Sequence, residues 1–346
     1  MSSFQKWSDS ALPSVRDALL ALADAGPIDT AALRESPHLA GPLPIEVLQI
    51  SGKDRVRFLH AMLSNDVVLL DKAGPGHGVR ATLNSLQGRL VADTHLYLVD
   101  GEKKAGHILA LFERGAATPF IEMLDRYVIA EKVYFEPDPR EALAVVGSGA
   151  ESAVLAAGLP VPEPGEHTFS SGTLGEHEVL VIRRELGAEQ GLILLTAPQA
   201  VAAVTAALGL PTASLSSLEA LRIEAALPRP GGDLTTLNIV LEGGLKDRAV
   251  SFTKGCYIGQ EVICRLDSIG TPAKLLVQLE GDHPAPPGTE LFRDGKNVGY
   301  VTSAVTSAAR GKTLFLGYVK KRSNDLGTAL HLGAVDGETA TVSAHV

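Results

Sequence analysis

Lys254-Gly255-Cys256-Tyr257-Ile258-Gly259-Gln260-Glu261 is the stretch from which the rest of the chain is best read. Its two glycines let the backbone turn tightly and come close to a ligand, and Lys254 sets a cation near the thiol of Cys256 in sequence. A nearby cation favours the thiolate, and a helix starting near Gly259 adds its N-terminal dipole. A lone cysteine is more often a small core residue than a nucleophile, and on the residues alone both readings stay open. Cys264 has neither a glycine nor a charge before it and reads as packing. Two cysteines cannot supply the ligand set of an iron–sulfur cluster, and the histidines show no i,i+4 pair, so no metal site is expected within the chain. A cluster bridged transiently between chains stays open.

Upstream stands Leu221-Arg-Ile-Glu-Ala-Ala-Leu-Pro-Arg-Pro-Gly-Gly-Asp233. Ser216 and Glu219 have the spacing of a capping box for a helix running to about Leu227, and the proline and paired glycines of 228–233 end it. On the helical wheel Glu224 falls between two apolar arcs, which predicts burial. A buried carboxylate is costly unless bonded, so Glu224 either recognises a donor-rich ring or forms an ion pair with Arg222 or Arg248.

The first half alternates strands and helices. Ile45–Ile50 reads as a strand, Ser51 and Asp54 as a helix start, and Gly74, Gly76 and Gly78 as a loop. Val79–Leu83 and Leu90–Val99 read as strands around a turn at Gln87–Gly88, and Phe112–Leu124 as a helix. Asp93 lies inside a strand run, where acids are disfavoured, so it either points to solvent or sits in a site. The residues alone lean to solvent. Gly147-Ser148-Gly149, between the strand Leu143–Val146 and the helix Ala150–Ala157, resembles half of a dinucleotide fingerprint. Its third glycine would fall at Ser152, so it reads as a strand-to-helix turn. From Lys274 onward short alternating strands, with Asp294-Gly295 as a hairpin turn, predict a small β-barrel.

Hydrophobic residues make up 45% and charged residues 21% of the 346, the balance of a folded globular protein. The formal net charge of −9 repels phosphate backbones, so no stable direct nucleic-acid binding is expected. The first nine residues do not read as a secretory start, and no apolar run approaches the roughly 20 residues of a membrane helix. A cytoplasmic protein without a membrane partner is expected.

Taken together, these segments resemble the YgfZ-type relatives of the glycine-cleavage T-protein. The carriers are the stretch 221–233 already quoted, Phe252-Thr-Lys-Gly-Cys-Tyr-Ile-Gly-Gln-Glu-Val262, Ser51-Gly-Lys-Asp-Arg-Val-Arg-Phe-Leu59 with Ser64-Asn-Asp-Val67, and Leu83-Asn-Ser-Leu-Gln-Gly-Arg-Leu-Val-Ala-Asp93. Gly299-Tyr-Val-Thr-Ser303 and Leu316-Gly-Tyr-Val319 resemble the barrel of that family. The resemblance implies an α+β, three-part T-protein-like fold with a central folate channel, a ferredoxin-like middle unit and a C-terminal β-barrel. Under it, 1–44 is a helical extension and linker, 45–140 and 213–272 are two parts of a folate-binding domain, 141–212 is the middle unit and 273–346 the barrel.

It also implies a bound tetrahydrofolate or one-carbon derivative, and partners among iron–sulfur proteins or their assembly factors, including tRNA-modifying enzymes. Carried over by position, Asp93 matches the acid beside the reactive folate nitrogens, Glu224 the acid on the pterin ring, and Arg248 a basic folate contact. Asn84 falls in the matched turn and joins the cofactor-binding set. Cys256, with Lys254 beside it, matches the cysteine that sets these proteins apart from T-proteins. After Glu261 the chain continues Val-Ile-Cys-Arg-Leu-Asp-Ser-Ile-Gly270, where the family pattern has a histidine near a glycine. Three functions compete: an iron–sulfur accessory that needs Cys256, a one-carbon transferase with Asp93 as acid/base, and a non-catalytic folate-binding module.

Overall fold

In the computed structural model of the chain, residues 2–73, 76–99, 106–187, 190–268 and 270–346 are described. Gly74 and Ile269 lie outside the described residues. The N-terminal segment forms α1 (Ser3–Ser10), capped by the Ser2 hydroxyl, and α2 (Pro13–Ala23), which starts with a proline where no N–H is needed. Trp7, Ala11, Val15 and Leu19 make a small core, and the Trp7 indole donates to the Gly232 carbonyl at 3.0 Å. The lead is therefore packed on the Pro228–Asp233 loop. Helix α3 (Ala31–Glu35) and strand β1 (His38–Ala40) follow.

The first sheet has the order β3-β4-β5-β2-β6, all antiparallel. Its strands are β2 (Ile45–Ser51), β3 (Gly78–Asn84), β4 (Leu90–Val99), β5 (His107–Glu113) and β6 (Tyr134–Asp138). Between them run α4 (Arg55–Met62), α5 (Leu69–Ala73) and α6 (Ala117–Leu124). Because side chains alternate along a strand, Ala81, Leu83, Leu96 and Ala110 face Phe58, Leu59, Phe120 and Leu124 of the helices, while Tyr97, Leu109 and Leu111 face the other way. Two expectations shift. Ser51 ends β2, and Asp54 caps α4 by backbone position only, its carboxylate accepting instead from the Lys132 N–H at 2.9 Å. Phe112 belongs to β5, because Gly115 at φ +97° breaks the chain before α6 begins.

The middle unit is a two-layer α+β sandwich of β7 (Glu141–Val146), α7 (Ala150–Ala156), β8 (Phe169–Leu174), β9 (His177–Glu185), β10 (Gln190–Thr196) and α8 (Val201–Leu208). Its sheet runs β1-β7-β10-β9-β8, so the segment read as a linker contributes an edge strand. Leu143, Val145, Val181 and Leu194 lie under α7 and α8. Leu180, Ile182, Ile193 and Leu195 pack against Tyr97, Leu109 and Leu111 of the first sheet, so the two sheets stack face to face. Gly147 has φ +100°, and an added Cβ would lie 2.2 Å from the Ser36 carbonyl oxygen. That turn needs glycine for close packing, not for phosphate.

Helix α9 (Leu215–Glu224) is capped by Ser214, whose hydroxyl accepts from the Ser217 N–H, two residues before the expected Ser216. It is followed by α10 (Lys246–Ala249) and α11 (Gln260–Ser268). The chain closes with a six-stranded barrel in the order β11-β14-β13-β12-β15-β16. These strands are β11 (Lys274–Gly281), β12 (Glu290–Arg293), β13 (Lys296–Ser307), β14 (Lys312–Lys320), β15 (Ala329–Leu332) and β16 (Thr339–His345). Asp294 and Gly295, both at positive φ, turn β12 into β13 as the dipeptide predicts. Among the described residues no helix is long and apolar enough to cross a membrane.

Candidate functional site

A cavity opens where the stacked sheets part beneath α9, walled by apolar Leu111, Leu186, Ile193 and Leu218 and by polar Asp93, His95 and Arg184. The register of β3 against β4 pairs Arg80 with His95 and Thr82 with Asp93, placing all four on one sheet region. Asp93 is buried, not solvent-facing, and both of its oxygens accept from Arg80: Nε at 3.1 Å and Nη2 at 2.6 Å. Burial works against the Arg80 cation, yet the carboxylate beside it holds the guanidinium above its ordinary pKa. This bidentate pair forms part of the cavity floor.

His95 sits beside it, 5% exposed, with no hydrogen-bond partner on either ring nitrogen. Burial first, then Arg184, His167 and Arg80, hold it neutral well below the usual histidine range. Its ring meets that of His167 at a tilt, with centroids 4.8 Å apart, and burial and the neighbouring arginines push His167 down to about 3. Arg184 projects from β9 into the same space, and burial lowers its pKa. Among the described residues no carboxylate lies within ion-pair distance of Arg184. A smaller polar cavity adjoins, sharing His95, Arg184 and Glu185 with the first and adding Arg80 and Arg248. Arg248 is bonded to Glu185 at 2.8 Å.

The 221–233 motif proves to be a structural staple. Arg222 donates to Glu219 at 2.9 Å, to Asp233 at 2.7 Å and to the Ser303 hydroxyl at 2.8 Å. Arg229 donates to Glu113 at 2.7 Å and pairs with Glu219 at 3.1 Å. Burial raises the Glu113 pKa against the pull of Arg229, whereas at Glu219 the two arginines outweigh burial and lower it. Asp233 also accepts from the Ser303 hydroxyl at 2.7 Å and from the backbone N–H of Arg229 at 2.9 Å. One continuous network thus joins β5, α9, the Pro-Gly loop and the barrel.

Glu224 stands outside the cavity. It accepts from the Thr30 hydroxyl at 2.9 Å, from Arg34 at 2.6 Å and from the Ser307 hydroxyl at 2.5 Å. The reason is helical register: Leu218, Glu219 and Arg222 face the cavity, and Glu224 lies about 140° round the helix from Glu219. The expected burial and ion pairing are present, but with Arg34 in place of Arg222 or Arg248.

The 254–261 segment lies at the far end of β3. Lys254 donates to the His60 and Leu63 carbonyls at the end of α4 and lies 5.0 Å from the centre of the Tyr257 ring. Burial, partly offset by Asp66, brings Lys254 down to about 8. Its ammonium therefore caps a helix, and its proximity to Cys256 in sequence does not make it the thiol's hydrogen-bonded partner. Cys256 is exposed on the loop before α11. Gly259 has φ +83°, and an added Cβ would lie 2.5 Å from the Ser85 carbonyl oxygen and 3.2 Å from the Asn84 Cβ. Asn84 is buried, donating to the Thr82 hydroxyl at 3.0 Å, and supports this turn without lining the cavity. Cys264 is half-buried on α11, and burial raises its thiol.

Of the residues singled out in the sequence, the cavity therefore brings together Asp93 and, in its polar annex, Arg248. Arg80, His95 and Arg184 escaped the sequence reading. The signal for Arg80 and His95 was period-two alternation, which puts both on the Asp93 side of their strands.

Residues 274–346 match the glycine cleavage T-protein C-terminal barrel domain. The whole fold is like that of the glycine cleavage system aminomethyltransferase T from Bartonella henselae, with a TM-score of 0.79 at 20% identity over 92% of this chain and 87% of that one. The expected T-protein fold is the one observed. The barrel and the overall fold are what this chain shares with the glycine-cleavage T-proteins. The mitochondrial aminomethyltransferase of Gallus gallus is 28% identical over 82% of this chain and 74% of its own length. A chloroplastic protein of Arabidopsis thaliana with a provisional transferase name is 29% identical over 83% of this chain, which spans 66% of that relative. The tRNA-modifying protein YgfZ of Yersinia pestis is 27% identical over 75% of this chain and 77% of its own length.

Proposed function

We propose that this chain binds a reduced folate between its stacked sheets and serves as a YgfZ-type accessory to iron–sulfur proteins, including enzymes that modify tRNA, without transferring aminomethyl groups. The observation that carries this reading is the buried Arg80–Asp93 pair. Both oxygens of Asp93 are engaged by one guanidinium, which fixes the carboxylate against β3 and leaves only its outer lone pairs towards a ligand. The cavity suits a folate: an apolar slot for a flat ring, unpartnered nitrogens of His95 for its polar edge, and cationic Arg184 for an acidic tail. When bound, tetrahydrofolate supplies nitrogens that carry one-carbon units; the chain's residues supply orientation and exclusion of water.

Support for the accessory role comes from the 254–261 segment. Cys256 is exposed on a loop held rigidly by Gly259 and by Lys254 on α4, so its thiol is available to a protein partner or a cluster bridged between chains. The link to tRNA modification is supported by the relative named as a tRNA-modifying protein. A competing reading, aminomethyl transfer, is favoured by the relatives that bear that name. A third uses folate only as a stabilising ligand.

A glycine-cleavage assay with purified partner proteins separates the first two. The accessory reading predicts no aminomethyl transfer above background, and robust turnover would sink it. Introducing the Cys256→Ser variant into a strain lacking the chain separates the first and third: the accessory reading predicts failure to restore iron–sulfur enzyme activity.

A further inference from the structure

We infer that His95 and Arg184 are the residues by which this cavity recognises its ligand, the imidazole meeting a polar atom on the edge of a planar ring and the guanidinium meeting a carboxylate. The inference rests on the folate reading above and adds which side chains read the ligand.

Most charged groups around the cavity are already paired with one another. Each of these carboxylates already has a cationic partner: Asp93 has Arg80, Glu113 has Arg229, Glu219 has Arg222 and Arg229, and Glu185 has Arg248. Arg222 and Arg229 are consumed by the same pairs. Among the described residues that line the main chamber, two polar groups remain without a protein partner: His95 and Arg184. His95 is buried nine-tenths or more, and both of its nitrogens lack hydrogen bonds. A polar group buried without a partner is destabilising, so a site that keeps one has a use for it. Being neutral, the imidazole offers one donor and one acceptor. Its two nitrogens point apart, so one of them meets a polar atom on a ring edge, as donor or as acceptor, and the other faces a separate group. Arg184 has no acceptor capacity and asks for an anion. Both residues also line the polar annex, so the two demands meet at the waist between an apolar chamber and a basic exit.

A ligand satisfying both is a heterocyclic ring joined to a carboxylic acid. Of the acids a positional match selects, Glu224 lies outside the cavity, bonded to Arg34 and two hydroxyls, and Asp93 is already paired with Arg80, so neither is an unpartnered group of the site.

Calorimetric titration tests this with two probes, 5-formyltetrahydrofolate and its diamide, in which both glutamate carboxylates are replaced by neutral carboxamides. His95→Phe is expected to weaken 5-formyltetrahydrofolate at least about tenfold, whereas His95→Gln, which keeps a donor and an acceptor, stays within about threefold of the parent. Neutralising the carboxylates is expected to cost the parent about tenfold and the Arg184→Met variant nothing, since the cation they met is gone. Circular dichroism and thermal melting establish that each variant is folded. A His95→Phe protein that binds like the parent overturns the inference while leaving the folate reading standing. So does equal loss in His95→Phe and His95→Gln, or an Arg184→Met variant that still distinguishes the two probes. A folded parent that binds neither probe overturns both.

Discussion

At the scale of single residues, the chemistry turns on who holds each buried charge. Asp93 stood out in the sequence because an acid inside a strand run is unusual. Its partner did not, since pairing Arg80 with Asp93 requires the β3–β4 register, which no local pattern states. Arg80→Met leaves Asp93 buried and unpaired, and should lower stability by about 3–5 kcal/mol in urea denaturation, with the Arg80→Met/Asp93→Leu double variant recovering most of it. His95 and His167 make a second prediction. Their folded pKa values lie below the unfolded value near 6.5, that of His167 at about 3. The unfolded chain therefore binds more protons below pH 6.5, and the stability these groups confer is complete above that pH and lost as pH falls towards the folded pKa. Each histidine should steepen the loss by up to about 1.4 kcal/mol per pH unit. Urea midpoints measured between pH 7 and pH 5 should fall, and less steeply in His167→Gln.

Among elements, local chemistry was legible wherever glycine or a hairpin turn decided the path. The Asp294-Gly295 turn, the start of α11 after Gly259 and the barrel strands all follow from such signals. The start of α9 was read two residues late, because Ser214 and Ser216 are both sound caps and only the backbone at Ser214 turns into the helix. That small slip goes with a larger one, since register about the α9 axis decides that Glu219 and Arg222 face the cavity and Glu224 the barrel. Gly259→Ala combines a left-handed φ with a 2.5 Å approach to the Ser85 carbonyl. It should cost about 1–3 kcal/mol in thermal or urea denaturation and loosen the Cys256 loop, seen as faster amide exchange over 254–261.

Across the whole molecule, the parts are tied by charge as well as by apolar packing. The chain from Glu113 through Arg229, Glu219, Arg222 and Asp233 to Ser303 spans the first sheet, α9 and the barrel. No periodicity in the sequence announces such a network, because its members come from segments far apart. The N-terminal lead was opaque for the same reason: Trp7 and Thr30 acquire meaning only against Gly232 and Glu224. Asp233→Ala strips acceptors from Arg222, Thr302, Ser303 and the Arg229 N–H, and should destabilise the protein by about 3 kcal/mol or more. Limited proteolysis should then cut near 228–273, separating the barrel sooner than in the parent. The central claim is that the cavity between the sheets holds a reduced folate, and calorimetric titration of the parent protein with tetrahydrofolate tests it most directly. Saturable binding at one site per chain is the predicted result, and a folded parent that takes up no tetrahydrofolate would contradict the account.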